Sequence, residues 1–149
     1  MILVPRSAYY RHCLEQLARA VPYVWGGRRD DGLDCSGFVV LALFKASEGR
    51  IDWRKTHNTD TLWTTLPRIS EGEVLPGDLA LYWGPAPKDA NDVSHVMVCA
   101  GAGMCFGQAW GGPADTDAKR SRELGHVTKV MPVHYRADLA GFVRPPVTP

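Results

Sequence analysis

The first half of the chain carries apolar residues at helical spacing. Over residues 7–20 they return every three or four positions, which predicts a helix with Ser7 as its N-cap and Pro22 just beyond its end. A further short helix is expected over residues 59–65. The N-terminal part of the protein is therefore predicted to be helical.

The segment between these two, residues 35–46, is apolar on nearly every face. A helix of this kind must be buried almost all round. Asp34 stands in the N-cap position and Gly49 follows the last residues, as is usual at helix termini. The pattern predicts a central core helix that begins at Cys35, after a loop rich in glycine and aspartate.

Beyond Pro76 the pattern changes to short β-like runs separated by Gly, Pro and Asp. Because helices come first and strands second, we expect an α+β fold in which the N-terminal helices pack on an antiparallel sheet. The last five residues, Pro-Pro-Val-Thr-Pro, are expected to be loose. The predicted strands cover residues 78–83, 95–100, 104–110, 127–133 and 139–145.

Composition indicates one globular domain over residues 1–149. The net charge of +1 gives no broad field of one sign, so nucleic acid and anionic membranes are not expected partners. No apolar run is long enough to span a membrane. The N-terminal residues do not have the pattern of a secretory signal, so we expect synthesis in the cytoplasm.

Two residues are candidates for nucleophilic chemistry. Cys35 stands at the first turn of the buried helix, where the helix dipole and free backbone N–H groups favour a thiolate and can hold an oxyanion. His95 opens a predicted strand and is a candidate general base. The alternatives are a core cysteine and an ordinary strand histidine. A metal site is a further alternative, with His95, Cys99 and Cys105 as ligands.

Three motifs occur in order along the chain, PYVWGG…DCSGFV, LPGDLALYW and SHVMV. Together they resemble the NlpC-type family of papain-like cysteine peptidases, which cleave the peptide stems of bacterial cell walls. The resemblance covers about residues 8–112 and implies a papain-like fold. It also implies that Cys35 is the nucleophile and that His95 is the general base and acid.

The resemblance extends to three candidate substrate-binding residues. It implies that Tyr23 lines the substrate pocket or supports the oxyanion. It places Asp34 and Ser36 beside the nucleophile, where the family recognises polar groups of the substrate. Each of the three could instead have a purely structural role.

The third catalytic residue of the family is most often a histidine, and sometimes an asparagine, a glutamine or an acid. A hairpin register that sets Gln108 opposite His95 would let the glutamine carbonyl orient the imidazole. A slip of one residue would instead set Gln108 opposite Val96. We expect Gln108 to orient His95, and the alternatives are His126, His134 and Asp92.

The resemblance implies a stem-peptide endopeptidase that cleaves gamma-D-glutamyl–diaminopimelate bonds through a thioester on Cys35. It implies peptidoglycan as the partner and no cofactor or metal. We expect action on the cell wall after delivery by a phage tail, a secretion system or lysis, with delivery machinery or an immunity protein as further partners. The alternatives are a papain-like acyltransferase or amidase and a non-catalytic phage-tail or wall-binding module.

Overall fold

The computed structural model describes residues 2–149 of the chain. The predicted helix over 35–46 and the short helix over 59–65 have the bounds expected from the sequence. A charged helix near residue 120 was not expected, because its sequence has no periodic apolar pattern. The helices of this range are α1 (Arg6–Ala18), α2 (Cys35–Ala46), α3 (Thr59–Thr65) and α4 (Ala118–Glu123).

The start of α1 differs from the prediction. The helix begins at Arg6, and Pro5 holds the N-cap position without a side-chain hydrogen bond. Ser7 lies inside the first turn, so the expected serine cap is wrong. The fixed backbone angle of proline suits a helix start, and Arg6 donates from Nη1 to Oδ1 of Asp78 at 3.0 Å. An ion pair therefore anchors this turn.

The strands are β1 (Val4–Pro5), β2 (Arg28–Arg29), β3 (Gly32–Leu33), β4 (Arg68–Ile69), β5 (Leu79–Tyr82), β6 (His95–Gly101), β7 (Met104–Gly107), β8 (Lys129–Pro132), β9 (Leu139–Val143) and β10 (Val147–Thr148). The five predicted strands correspond to β5–β9 and form one antiparallel sheet with β4, which was not predicted. The strand order is β4-β9-β5-β6-β7-β8, and the sheet confirms the α+β class. Two short ladders, β1-β10 and β2-β3, lie outside it.

The helix α2 is the centre of the core, as its apolar sequence predicts. It packs between α1 and β6, and the buried side chain of Gln16 in α1 donates to the carbonyl oxygen of Phe38 at 2.8 Å. Alternation along β6 divides the core between the two faces of the sheet. Val96 and Val98 join the helix side, while Met97 and the residues in register with it join a second cluster on the other side.

The C-terminal tail is ordered, so the expectation of a loose tail is wrong. Val147 pairs with Val4 in the parallel β1-β10 ladder and is 8% exposed. Arg144, just before the tail, donates from Nη2 to Oδ2 of the fully buried Asp78 at 2.8 Å. Because Arg6 binds the same carboxylate, both ends of the chain are fixed to the start of β5.

Among the helices of residues 2–149, none combines the length and the apolar character that a membrane crossing requires.

Candidate active site

The N-terminus of α2 presents Cys35 on a rigid cap. Asp34 is the N-cap residue, and its Oδ1 accepts hydrogen bonds from the backbone N–H of Gly37 at 2.6 Å and from the Ser36 hydroxyl at 3.2 Å. The Asp34 carboxylate therefore stabilises the first turn of the helix. Both Asp34 and Ser36 hold the backbone around the thiol in place.

The glycines of the two motifs allow the preceding loop to touch this helix end. The carbonyl oxygen of Gly27 accepts a hydrogen bond from the Asp34 backbone at 3.1 Å. A methyl group on Gly37 would overlap that same carbonyl oxygen, and one on Gly27 would collide with the carbonyl of Gly32. Only glycine fits these close approaches, which explains why glycines occur in PYVWGG and DCSG.

A cleft of about 330 Å³ opens beside the helix end. It is lined by Cys35 together with Tyr23, Asp34 and Ser36, so the structure brings the three candidate substrate residues to the nucleophile. Arg28 lines the same cleft. A larger, mainly apolar cavity of about 550 Å³ lies near the chain termini and does not include these residues.

The environment of Cys35 favours the protonated thiol. Burial raises the pKa of the thiol to about 12, and the nearby Asp34 charge acts in the same direction. The backbone N–H groups of Val96 and Ser36 approach the sulfur and lower the pKa, but by less. Loss of solvent therefore opposes the effect of the helix N-terminus on the thiol, and the expected thiolate stays a prediction.

The imidazole of His95 is neutral for the same reason. Burial lowers the pKa of His95 to about 3, the Arg136 charge lowers it further, and Asp138 acts in the opposite direction. A neutral imidazole has a lone pair that can accept a proton, but with so low a pKa it accepts one only weakly. The sulfur of Cys35 lies beside the backbone N–H of Val96, the next residue after His95.

The partner of His95 is a residue that the sequence did not indicate. Nε2 of His95 lies 2.8 Å from the hydroxyl oxygen of Tyr135, and that hydroxyl lies 3.4 Å from the carbonyl oxygen of Ala109. Tyr135 follows β8 in a turn that has no alternating pattern. In the observed sheet order the β8–β9 connection crosses β6. A correct prediction of that order would therefore have placed Tyr135 near His95.

The predicted hairpin register is wrong by one residue. Cys99 pairs with Cys105 and Val98 with Phe106, and a bulge before Gly101 takes up the difference at the turn. Continued along the strands, this register sets Gln108 opposite Val96 rather than His95. In agreement with it, a methyl group on Gly107 would lie 3.5 Å from the sulfur of Met97.

Gln108 has a different hydrogen-bond partner. Its Nε2 donates to the carbonyl oxygen of Val21 at 2.8 Å, and its buried Oε1 has no partner within residues 2–149. No hydrogen bond joins Gln108 to His95 in this range. The three alternative partners are also engaged elsewhere: His126 with Asp115 at 3.0 Å, His134 with Glu71 at 3.0 Å, and Asp92 with the backbone of Lys88 at 2.7 Å.

The two cysteines of the hairpin face each other in the β6-β7 ladder, where Cys99 and Cys105 are both buried. Over the part of the chain that the structure describes, no three His, Cys, Asp or Glu side chains are grouped closely enough to hold a metal ion.

Comparison with known proteins begins with the family model described as the NlpC/P60 family, which matches residues 20–123. "Probable endopeptidase p60" of Listeria grayi is 28% identical over 98 residues, 66% of this chain and 17% of that protein. "Probable endopeptidase NlpC" of Escherichia coli (strain K12) is 36% identical over 61 residues, 41% of this chain and 37% of that protein. The chain thus matches only a minor part of the length of these relatives.

Two solved structures extend the likeness over the whole fold. The NlpC/p60 domain of the peptidoglycan hydrolase SagA superimposes with a TM-score of 0.64 at 26% identity, covering 95% of this chain and 99% of that one. RipD from Mycobacterium tuberculosis, a non-catalytic NlpC/p60 domain protein, has a TM-score of 0.59 at 16% identity and covers 92% and 96%. The second likeness shows the fold alone.

Proposed function

Because the chain belongs to the NlpC/P60 family, we propose that it is a cysteine endopeptidase that cleaves the peptide stems of peptidoglycan. The observation that carries the proposal is the cleft at the N-terminus of α2, which joins Cys35 to Tyr23, Asp34 and Ser36. Relatives named as endopeptidases and the domain of a peptidoglycan hydrolase support the reaction and the substrate. Delivery to the cell wall stays a prediction.

The proposed reaction starts from a neutral thiol and a neutral imidazole. When a peptide carbonyl is bound, His95 takes the proton of Cys35 as the sulfur attacks the carbonyl carbon. Backbone N–H groups at the start of α2 stabilise the oxyanion of the tetrahedral intermediate. The intermediate collapses to a thioester when the C–N bond breaks, and His95 returns the proton to the leaving amine.

Water then completes the hydrolysis. His95 removes a proton from a water molecule that attacks the thioester, and collapse of the second intermediate releases the carboxylate and restores the Cys35 thiol. The same thioester would produce an amide or an ester if an amine or a lipid alcohol took the place of water. The product therefore distinguishes a hydrolase from an acyltransferase.

We propose the gamma-D-glutamyl–diaminopimelate bond as the one cleaved. D-glutamate linked through its side chain leaves a free α-carboxylate close to the scissile bond. Arg28 lines the cleft with its Nη1 atom buried and without a hydrogen-bond partner within residues 2–149, and this atom lies 3.9 Å from Oδ1 of Asp34. A guanidinium in this state can bind a substrate carboxylate.

Mass spectrometry of defined muropeptides tests the proposal. The unaltered protein is expected to release two fragments that identify the broken bond, and Cys35→Ala is expected to release none. Cys105→Ala, which removes a buried thiol of the sheet, is the matched control and should retain cleavage. A product joined to an amine or a lipid, or no product from folded protein across several wall chemistries, would contradict an endopeptidase.

A further inference from the structure

We propose that Tyr135 is the positioning residue that orients His95 and fixes its tautomer, in the place that the sequence assigned to Gln108. The proposal rests on the proposed function, because orientation of the imidazole matters only if His95 transfers protons. The contact that carries it is the 2.8 Å distance between Nε2 of His95 and the Tyr135 hydroxyl. At this length the two atoms form a hydrogen bond.

The Tyr135 ring is held firmly enough to act as a support. Its edge-to-face contacts with Tyr82 and Trp110 have centroid distances of 5.7 and 6.0 Å. Its hydroxyl also lies 3.4 Å from the carbonyl oxygen of Ala109. A restrained ring and a second polar contact together fix the direction in which the hydroxyl meets His95.

The hydroxyl has a single proton, and its direction decides the histidine tautomer. Donation to the carbonyl of Ala109 leaves an oxygen lone pair directed at His95, so Nε2 must carry the imidazole proton. Nδ1 then has a free lone pair and is the nitrogen that accepts a proton in the proposed mechanism. With the hydroxyl reversed, Nε2 would be the acceptor and Nδ1 would carry the proton.

The hydroxyl keeps its proton at any working pH. Burial raises the pKa of Tyr135 to about 12. A neutral hydroxyl orients the imidazole but supplies less charge stabilisation to an imidazolium than a carboxylate would. The charged groups near His95 are Arg136 and Asp138, and they pair with each other at 2.6 Å.

The sheet order explains how a residue forty positions away reaches His95. The chain leaves β8 at one edge and must enter β9 beyond β7, β6 and β5. Tyr135 lies on this crossing, over the face that carries Tyr82 and Met97. Both His95 and Leu139 are in register with Tyr82, so the crossing ends beside the imidazole.

The variant Tyr135→Phe tests the proposal, with Tyr9→Phe as its matched control. Tyr9 in α1 is a fully buried tyrosine that belongs to the core cluster on the other side of the sheet from Tyr135. Tyr135→Phe is expected to lower kcat for muropeptide cleavage about 10- to 100-fold, because the orienting hydrogen bond is lost, with KM changed less than about twofold. Tyr9→Phe should retain the kcat of the unaltered protein.

A second readout does not depend on activity. Proton–nitrogen correlation spectra of the His95 ring at neutral pH should show the proton on Nε2 in the unaltered protein and in Tyr9→Phe. Tyr135→Phe should give a mixture of the two tautomers. The same spectra show whether each variant is folded.

The outcomes separate this inference from the proposed function. If the unaltered protein cleaves no muropeptide, the function fails, but the tautomer spectra still decide the role of Tyr135. If Tyr135→Phe keeps both its kcat and the Nε2 proton, Tyr135 does not position His95. A loss of kcat in Tyr135→Phe with the tautomer unchanged would also contradict the proposal.

Discussion

Nε2 of His95 lies 2.8 Å from the hydroxyl oxygen of Tyr135. This contact engages one ring nitrogen and leaves Nδ1 as the nitrogen that would exchange a proton with Cys35 in the proposed mechanism. Burial lowers the pKa of His95 and raises that of the Cys35 thiol, so both groups favour their neutral forms. In the proposed mechanism the thiol proton leaves only as the sulfur attacks, and bound substrate must first bring these two pKa values closer together.

The role of Arg28 can be tested with two substrates that differ at one group. Arg28→Met should raise KM for a stem peptide with a free glutamate α-carboxylate about tenfold, and should leave KM for the corresponding amide almost unchanged, because about 1.4 kcal/mol of charge-assisted binding is lost. Arg29→Met is the control, since its side chain in the same loop is 83% exposed. Equal KM increases on both peptides would exclude carboxylate recognition by Arg28.

Gln108 is expected to matter for stability. Gln108→Leu removes the hydrogen bond to the Val21 carbonyl, which still accepts one from the Thr128 backbone at 3.2 Å. The free energy of unfolding in urea should therefore fall by about 1 kcal/mol, the value of one buried hydrogen bond. The His95 tautomer should not change. If the proton of the His95 ring moved to the other nitrogen in Gln108→Leu, Gln108 rather than Tyr135 would be the residue that orients His95.

The bounds of α2 and its cap could be predicted because the information is local. Asp34 precedes a run that is apolar on every face, and an N-cap followed by such a run has few other structures available. The glycine motifs likewise indicated a shaped loop against the helix end at Cys35, and no larger residue fits where Gly27 and Gly37 meet. The family resemblance suggests Tyr23, Asp34 and Ser36 as substrate residues; they line one cleft with Cys35, and their binding roles stay a prediction.

The partner of His95 could not be predicted because it depends on long-range geometry. The hairpin register depends on a bulge between Cys99 and Gly101. The alternation of residue types is compatible with both the predicted and the observed register. Tyr135 lies in a connection whose path follows from the order of six strands. The ordered tail is a similar case, since two-residue strands such as Val147–Thr148 leave no periodic signal.

The close contact of Gly37 with the Gly27 carbonyl makes a further prediction. Gly37→Ala should displace the loop or the first turn of α2. Because such overpacking is destabilising, the free energy of unfolding should fall by about 1–3 kcal/mol. The kcat should also fall, because the oxyanion-binding N–H groups move. Gly72→Ala is the control, since a methyl group there meets no atom within 4 Å. Equal thermal unfolding and kcat in the two variants would contradict this packing.

Stability should depend on pH through His95. Its pKa is about 3 in the folded state against 6.5 as the ordinary value, so the unfolded chain binds more protons between these limits. The free energy of unfolding must therefore fall as pH decreases from 6.5, with His95 contributing up to about 1.4 kcal/mol per pH unit. Urea unfolding between pH 4.5 and 6.5 should show a shallower slope for His95→Asn. An unchanged slope would mean that His95 titrates alike in the folded and unfolded chains and would contradict the lowered pKa.

The central claim is that Cys35 forms a thioester with a stem peptide, and intact-protein mass spectrometry after rapid acid quenching tests it most directly. The unaltered protein mixed with a cleavable muropeptide should gain the mass of the acyl fragment, mapped to Cys35 after digestion. Cys35→Ala should gain nothing and release no product. Product formation by Cys35→Ala at the rate of the unaltered protein, with no adduct on either, would contradict the account.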